Sequence, residues 1–187
     1  MATSSTDEPR VLVVDDEEQI ADLYQLRLED TYEVLKAYDG TEAIEKVDET
    51  VDVVTLDRRM PDLNGAEVLA QIRATDYDCR VIMVTAVDPE ADIVEMAFDD
   101  YINKPVDKDT LVEAVEHQLT VREYSQTFQE LNQVCSKINA LKGKKDQNEL
   151  EDLQVYQNLK EKADNLRTQQ DDLLDELDYF EAASARQ

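Results

Sequence analysis

The chain has 187 residues, of which 45 are Asp or Glu and 19 are Lys or Arg, and its formal net charge is -26. This length suits one ordinary domain with a smaller second element. No apolar run approaches the roughly 18 residues that a membrane-spanning helix needs, and the first residues lack the basic and apolar pattern of a signal peptide, so we expect a soluble cytoplasmic protein.

The acidic excess lies mainly in the first 120 residues. Hydrated carboxylates keep a protein in solution, and in molar salt, where the Debye length is about 3 Å, screening removes their mutual repulsion. We therefore expect a halophilic source. The two cysteines, Cys79 and Cys135, have a spacing that fits neither a disulfide framework nor a thiolate metal site.

Short apolar runs alternate with helical patterns after a polar tail at residues 1–9. The runs predict strands near 10–14, 33–37, 52–56, 80–85 and 100–103. The patterns between them predict helices near 17–29, 41–49, 65–75 and 90–97, and from 108 onward. Strands that alternate with helices indicate βαβ units with right-handed crossovers, and hence a parallel sheet covered on both faces.

Two local patterns refine this prediction. Thr41 precedes apolar residues at helical spacing, which indicates a short capped helix. The loop at 60–65 joins the third strand to the next helix, and we expect Pro61 to supply a fixed backbone angle and the pair Asn64-Gly65 a permissive one.

From about residue 109 the sequence has no further proline, and glycine appears only at Gly143. Apolar residues then alternate spacings of three and four, which is typical of a coiled-coil seam. The seam residues are Tyr124, Phe128, Leu131, Cys135 and Ile138 on one arm, and Leu150, Leu153, Tyr156, Leu159, Ala163, Leu166, Gln170, Leu173, Leu177 and Phe180 on the other. The basic segment at 142–145 is short enough to join two antiparallel helices. We predict a helical hairpin or coiled coil over 121–187, closed within one chain or between two.

Five polar residues stand at the ends of the predicted strands, namely Asp15, Asp16, Asp57, Thr85 and Lys104. Ligands of open α/β sheets bind outside the carboxyl ends of the strands. Three carboxylates gathered there repel one another, and a hard cation such as Mg²⁺ relieves that repulsion. A lysine adds a compact positive charge and a threonine adds a hydrogen bond. This set suits phosphoryl transfer, in which an aspartate can be the nucleophile.

Each of these residues alone has an ordinary explanation. Asp15, Asp16 or Thr85 can cap a helix, and Lys104 can be a surface charge. The single histidine, His117, lies beyond Lys104 in the last predicted helix of this part, where we expect a surface residue. The coincidence of all five residues at consecutive strand ends favours a site.

Four motifs in this order resemble the receiver domain of two-component response regulators. They are Val-Val-Asp15-Asp16-Glu17, Leu-Asp57-Arg-Arg-Met60-Pro61-Asp62-Leu-Asn-Gly65, Val-Thr85-Ala86 and Asp-Tyr101-Ile-Asn-Lys104-Pro105. The resemblance covers residues 10–120. It implies a flavodoxin-like, doubly wound α/β fold whose five parallel strands have the order 2-1-3-4-5, followed here by an all-α hairpin.

The resemblance also implies an activity. Asp57 is expected to accept a phosphoryl group from the phosphohistidine of a sensor histidine kinase. Asp16 and Asp57, with the backbone carbonyl of Arg59, are expected to hold Mg²⁺, while Asp15 acts through water. Such a domain catalyses only its own phosphoryl transfer and dephosphorylation, so we expect no enzyme in the usual sense.

Three further residues take roles from the same resemblance. Lys104 and Thr85 are expected to contact the phosphoryl oxygens. Tyr101 matches the aromatic residue that turns inward when the threonine moves. The chain departs from the family pattern just before Tyr101: only sixteen positions separate it from Thr85, and Ala97-Phe98 replaces a small pair. We therefore expect the helix near 90–97 to be short.

The helical part resembles the HalX domain that follows receivers in halophilic archaea. Two hypotheses for its role remain open. In the first it binds itself or another protein; in the second the chain is a transcription regulator whose helical tail contacts DNA or the basal machinery. The one basic cluster, at 142–145, is small and favours the first. The small number of basic residues is weaker evidence against DNA binding in molar salt, because counterion release then contributes little to the affinity.

Overall fold

A computed structural model describes residues 8–86, 96–143, 149–150 and 152–184. The strands are β1 Arg10–Val14, β2 Glu33–Ala37, β3 Val53–Leu56, β4 Arg80–Thr85 and β5 Asp100–Asn103. The helices are α1 Glu18–Leu28, α2 Gly40–Lys46, α3 Gly65–Arg73, α4 Lys108–Lys142 and α5 Gln154–Ser184. Residues 1–7 of the predicted tail, most of the helix predicted near 90–97 and the second half of the connection at 142–145 lie outside the described residues.

The five strands form one parallel sheet in the order β2-β1-β3-β4-β5. The predicted fold class and strand order are therefore confirmed. The central strands read as continuous apolar runs because both of their faces are covered. Leu12 and Val14 belong to the core between the sheet and helices α2 and α3. Val11 and Val13 face the opposite core, beneath α1 and the start of α4.

Helix ends differ from the prediction at one point and add detail at another. Helix α2 is capped by Asp39, whose side chain accepts a hydrogen bond from the Glu42 amide, and not by Thr41. Asp39 is the N-cap because its carboxylate accepts a hydrogen bond from the amide of the third helical residue, as N-cap side chains do. Helix α3 begins with a reciprocal capping box between Asn64 and Glu67.

The loop between β3 and α3 has its permissive position elsewhere than expected. Asp62 has a φ of 61°, and no described glycine has a positive φ. Aspartate tolerates this left-handed region because its short side chain can bond locally. Gly65 is required instead by close packing, since a Cβ there would lie 2.2 Å from the Asp57 carbonyl oxygen. That glycine lets α3 start directly against the backbone of the predicted phosphoacceptor.

The chain divides into two compact units, residues 1–119 and 120–187. The second unit is an antiparallel pair formed by the later part of α4 and by α5. Thr120 bonds Glu176, Glu123 bonds Gln169 and Glu130 pairs with Lys162, so the two helices run in opposite directions.

The interior of this pair agrees with the predicted seam on α5 and corrects it on α4. On α5 the residues Tyr156, Ala163, Leu166, Leu173 and Phe180 are buried. On the part of α4 that belongs to this pair the buried residues are Thr120, Thr127, Val134 and Ile138, whereas the predicted seam residue Phe128 is 49% exposed.

The error on α4 has a physical reason. A prediction from spacings of three and four residues chooses the more apolar stripe of a helix. On α4 two stripes have this spacing, and both contain Leu131 and Ile138. Thr127 is buried although its hydroxyl made it a weak candidate from sequence. Among the described residues no helix is long and apolar enough to cross a bilayer.

Candidate functional site

The sheet brings the predicted site residues to one edge. Asp15 directly follows β1, Asp57 follows β3, Thr85 ends β4 and Lys104 follows β5. Two backbone hydrogen bonds tie these ends together, from the Asp57 amide to the Val14 carbonyl at 2.9 Å and from the Lys104 amide to the Thr85 carbonyl at 2.9 Å. Because all strands are parallel, their carboxyl ends meet here, which is where such sheets bind ligands.

Three carboxylates form the centre of the site. Each of Asp15, Asp16 and Asp57 offers an oxygen, and these oxygens lie within 4.8 Å of one another. Asp15 is 2% exposed and Asp57 is 6% exposed, while Asp16 is nearer to solvent. Like charges held this closely in a buried setting repel strongly. The cluster therefore calls for a cation.

Lys104 supplies one positive charge to this cluster. Its Nζ lies 2.6 Å from Asp15 Oδ2 and 3.2 Å from Asp57 Oδ2. The Lys104 side chain is 11% exposed, so water screens these ion pairs only weakly. One ammonium group still leaves the three carboxylates with an excess of negative charge.

The pKa values of this group reflect both burial and pairing. Burial raises the pKa of Asp15, and the Lys104 ammonium and the Glu17 amide offset part of that rise. Burial alone lowers the pKa of Lys104, but its hydrogen bond to Asp15 and the charge of Asp57 more than compensate, so the pKa of Lys104 is raised. The lysine is therefore fully charged at neutral pH.

The donor set fits Mg²⁺. All three groups are carboxylates, the hard oxygen ligands that this ion prefers, and the site is open enough toward Asp16 to admit water ligands. The Arg59 amide donates to Asp57 Oδ1 at 3.4 Å, so the Arg59 backbone lies beside the cluster.

Thr85 and Tyr101 lie on the same face of the sheet. Thr85 follows Val81 and Met83 at intervals of two residues and so lies on the same face as they do, toward the core under α2 and α3; Tyr101 packs against that same core. Thr85 is fully buried, whereas Tyr101 is half-buried with its ring centroid 5.7 Å from that of Phe98. Tyr101 is paired in register with Met83, two residues before Thr85. Thr85 and Tyr101 thus lie on neighbouring strands and on one face of the sheet.

Other residues around the site were missed by sequence reasoning. Arg27 of α1 donates to the Val106 carbonyl and stands 5.7 Å above the Tyr24 ring, so it ties α1 to the segment after Lys104. Burial raises the pKa of Tyr24. No sequence signal marked Arg27, because its partner is a backbone carbonyl far along the chain. His117, expected at the surface, is half-buried in α4, with Nδ1 3.5 Å from the side-chain nitrogen Nε2 of Gln118.

Comparison with known families assigns both units. Residues 11–116 match the family described as the response regulator receiver domain, and residues 120–185 match the HalX domain. A protein of Haloferax volcanii named a putative transcriptional regulator is 50% identical over 122 residues, which make up 61% of this chain and 21% of that protein. The chain thus spans about a fifth of that relative's length.

Solved structures resemble the first unit. A signal receiver domain of a putative Luxo repressor protein from Vibrio parahaemolyticus has a TM-score of 0.59 at 27% identity, covering 64% of this chain and 95% of that one. A CheY-like receiver from Methanospirillum hungatei has a TM-score of 0.58 at 29% identity, covering 62% and 96%. The response regulator TrrA from Thermotoga maritima, in complex with Mg²⁺ and BeF, has a TM-score of 0.54 at 37% identity, covering 59% and 99%.

Proposed function

Because the chain belongs to the family of response regulator receiver domains, we propose that it takes a phosphoryl group from a sensor histidine kinase onto Asp57. The observation that carries the proposal is the Lys104 ammonium held between Asp15 and Asp57 at the edge of three carboxylates. In the step itself an Asp57 oxygen attacks phosphorus, the phosphorus–nitrogen bond of the phosphohistidine breaks, and the imidazole leaves. The product is an acyl phosphate.

The residues of the site divide the work of this transfer. Asp16 and Asp57, with the Arg59 carbonyl, would hold Mg²⁺, and Asp15 would act through water. The ion neutralises charge on the phosphoryl oxygens when it is bound. Lys104 and Thr85 contact those oxygens and orient them. Catalysis of this kind is mostly positioning and charge neutralisation, so the chain needs no further catalytic group and acts on no substrate besides its own phosphoryl group.

Phosphorylation then shifts a population between two states. Thr85 moves toward the phosphoryl group, and the ring of Tyr101 then turns inward. The common core face of these residues supports this order of events. The phosphoryl group stabilises this state by the free energy of the additional contacts that it makes there, and by no more than that, as for any ligand that shifts a conformational equilibrium.

The output is carried by the helical unit through protein–protein interaction, including association with a second copy. A second candidate, regulation of transcription through contacts with DNA or the basal machinery, is supported by the name of the Haloferax volcanii relative. A halophilic source follows from the same relative and from the net charge of -26.

The test is labelling with radioactive acetyl phosphate and Mg²⁺ in molar KCl. Asp57→Asn should abolish incorporation, while the matched variant Asp62→Asn should label like wild type. Asp62 is an exposed carboxylate in the adjoining loop, and asparagine tolerates its φ of 61°. Retained labelling of Asp57→Asn overturns the assignment of the phosphoacceptor.

A further inference from the structure

Helix α1 holds the segment that follows Lys104. On the amino side of the lysine, its own amide donates to the Thr85 carbonyl at 2.9 Å, which fixes the backbone to β4. On the carboxyl side, the Arg27 guanidinium of α1 donates from Nη1 to the Val106 carbonyl. The lysine therefore stands between one anchor on the sheet and one on a helix.

Val106 is the buried residue of the segment 105–107. Its side chain is 6% exposed and packs in the core beneath α1, whereas its two neighbours in the segment are exposed. Asp107 then caps α4 by accepting a hydrogen bond from the Thr110 amide at 2.8 Å. A backbone carbonyl beside a packed core is costly to leave unpaired, and Arg27 supplies the donor for this one.

A buried tyrosine lies near both the arginine and the lysine. Arg27 Cζ stands 5.7 Å from the ring centre of Tyr24, which is 4% exposed. Burial raises the pKa of the Tyr24 hydroxyl, and the positive charges of Lys104 and Arg27 both oppose that rise. Such an effect requires that both cations lie close to the tyrosine. The guanidinium and the ammonium thus share a rigid aromatic neighbour.

Arg27 also has an ordinary structural explanation. It lies in the last turn of α1, where a basic residue interacts favourably with the helix dipole. That interaction requires only a nearby charge and no particular partner. Arg27 is instead half-buried and donates to a carbonyl 79 residues further along the chain. The planar guanidinium is suited to fixing a backbone group in this way, because its donors have a rigid arrangement.

The lysine needs such support because its ammonium group must meet two carboxylates at once. Nζ of Lys104 ends a flexible stem of four carbons. It lies 2.6 Å from Asp15 Oδ2 and 3.2 Å from Asp57 Oδ2. A displacement of the backbone after Lys104 would change both distances. Catalysis that depends on positioning can lose about a hundredfold in rate from a misplacement of roughly 1 Å.

We propose that Arg27 is a positioning residue for Lys104. It holds the Val106 carbonyl to α1 and thereby keeps the Lys104 ammonium between its two carboxylate partners. Arg27 touches neither the phosphoryl group nor Mg²⁺ and acts only through the lysine. Because α1 begins three residues after Asp15, one helix fixes the lysine and its carboxylate partner relative to each other. The inference rests on the proposed phosphoryl transfer to Asp57.

The first experiment measures the rate at which acetyl phosphate labels the full chain with Mg²⁺ in molar KCl. Arg27→Met keeps most of the side-chain stem but cannot donate, and it should be labelled about tenfold more slowly than wild type. Equal rates for this variant and wild type overturn the proposal.

Lys36→Met is the matched control. Lys36 also lies over a tyrosine, 5.6 Å from the ring centre of Tyr38, and it pairs with Asp22 of α1. Its strand, β2, is at the opposite edge of the sheet from β5, which leads to Lys104. Lys36→Met should therefore be labelled like wild type, and a loss as large as that of Arg27→Met overturns the proposal.

Calorimetry separates the positioning of the lysine from a general loss of structure. An ammonium group has no lone pair for a metal, so Arg27→Met should bind Mg²⁺ at least as tightly as wild type. It should bind beryllofluoride in the presence of Mg²⁺ about tenfold more weakly, because this mimic of the phosphoryl group meets the ammonium. Equal losses for both ligands overturn the proposal. Urea unfolding checks that the variant is folded, and Arg27→Ala replaces it if it is not.

A double-mutant cycle tests whether Arg27 acts through Lys104. In a Lys104→Met background, Arg27→Met should change the labelling rate by less than about twofold, because the ammonium to be positioned is absent. Losses that multiply overturn the proposal. If Lys104→Met is labelled too slowly to measure, the crystal structure of Arg27→Met decides. An ammonium displaced from one carboxylate supports the proposal, and one that keeps both contacts overturns it.

The same measurements distinguish a failure of this inference from a failure of the proposed function. A wild-type chain that takes no label contradicts phosphoryl transfer to Asp57, while the structure of Arg27→Met still shows whether the arginine positions the lysine. Labelling of wild type and Arg27→Met at the same rate contradicts the role of Arg27 alone.

Discussion

The Lys104 ammonium lies 2.6 Å from Asp15 and 3.2 Å from Asp57, so one lysine links the end of β5 to the ends of β1 and β3. Asp15 and Lys104 are separated by 89 residues, and only the closing of the parallel sheet brings them together. The pair neutralises part of the carboxylate cluster before any ion binds. It therefore couples the stability of the first unit to the chemistry of the site.

Lys104→Met should destabilise the protein most when divalent ions are removed. Loss of one partner of a buried ion pair costs about 3 kcal/mol, since it leaves an uncompensated charge. Added Mg²⁺ should restore more stability in the variant than in wild type, because the ion no longer competes with the ammonium. Urea unfolding with EDTA or with Mg²⁺ measures both effects.

The control for this variant is Lys108→Met. Lys108 pairs with Asp30 at 3.2 Å, but both side chains are more than half exposed, and such pairs contribute little. Equal stability of Lys104→Met and wild type in EDTA would show that the buried pair contributes nothing.

Gly65→Ala should displace the start of α3 and impair phosphorylation. The added Cβ lies 2.2 Å from the Asp57 carbonyl oxygen and 2.8 Å from the Arg58 Cα, both backbone atoms that cannot turn aside. We expect a destabilisation of about 2 kcal/mol and slower labelling by acetyl phosphate, as overpacking typically causes. Gly143→Ala is the matched control, because among the described residues a Cβ there meets no atom closer than 3.6 Å. Wild-type labelling and stability in Gly65→Ala contradict this prediction.

Thr85→Val should separate binding of the phosphoryl mimic from its consequences. Valine has nearly the same shape but lacks the hydroxyl that the phosphoryl group is expected to attract. The variant should still bind beryllofluoride with Mg²⁺, while hydrogen exchange in β4 and β5 should respond less than in wild type. Tyr101→Ala should likewise reduce the response. If both variants respond like wild type, this chain does not use the Thr85–Tyr101 coupling.

Tyr32→Phe should make the protein more resistant to alkali. Burial, aided by the charge of Glu116, raises the pKa of Tyr32 to about 12 from the ordinary value of 10.0. Between these pH values the unfolded chain releases a proton that the folded chain keeps, so stability is lost as the pH rises. The stability that the folded chain gains from keeping Tyr32 protonated is fully present below pH 10 and is lost as the pH passes 12.

The measurement for this prediction is the difference in unfolding free energy between wild type and Tyr32→Phe as a function of pH. That difference should move in favour of the variant above about pH 10. Tyr179→Phe serves as the control, because Tyr179 is 71% exposed. If the unfolding free energies of wild type and Tyr32→Phe change in parallel over this pH range, the prediction is wrong.

Much of the first unit follows from local pattern. A parallel strand buried on both faces needs a continuous apolar run, whereas the helices between the strands need apolar residues at helical spacing. This difference places the predicted strands within one residue of their observed bounds. Parallel strands also place their carboxyl ends together. Asp15, Asp16, Asp57, Thr85 and Lys104 could therefore be grouped without coordinates, since the grouping depends on chain direction alone.

Other features depend on contacts between distant segments, which periodicity does not contain. The sequence alone determined that α4 and α5 are amphipathic helices. Only the tertiary structure decided that Thr127 and Val134 turn inward while Phe128 stays at the surface, because two stripes of α4 satisfy the same spacing and the packing of α5 selects between them. It likewise decided the need for Gly65, which arises from the approach of α3 to the Asp57 backbone. Chain direction and hydrophobic period are local properties; the choice of face and the closeness of two backbones are set by packing.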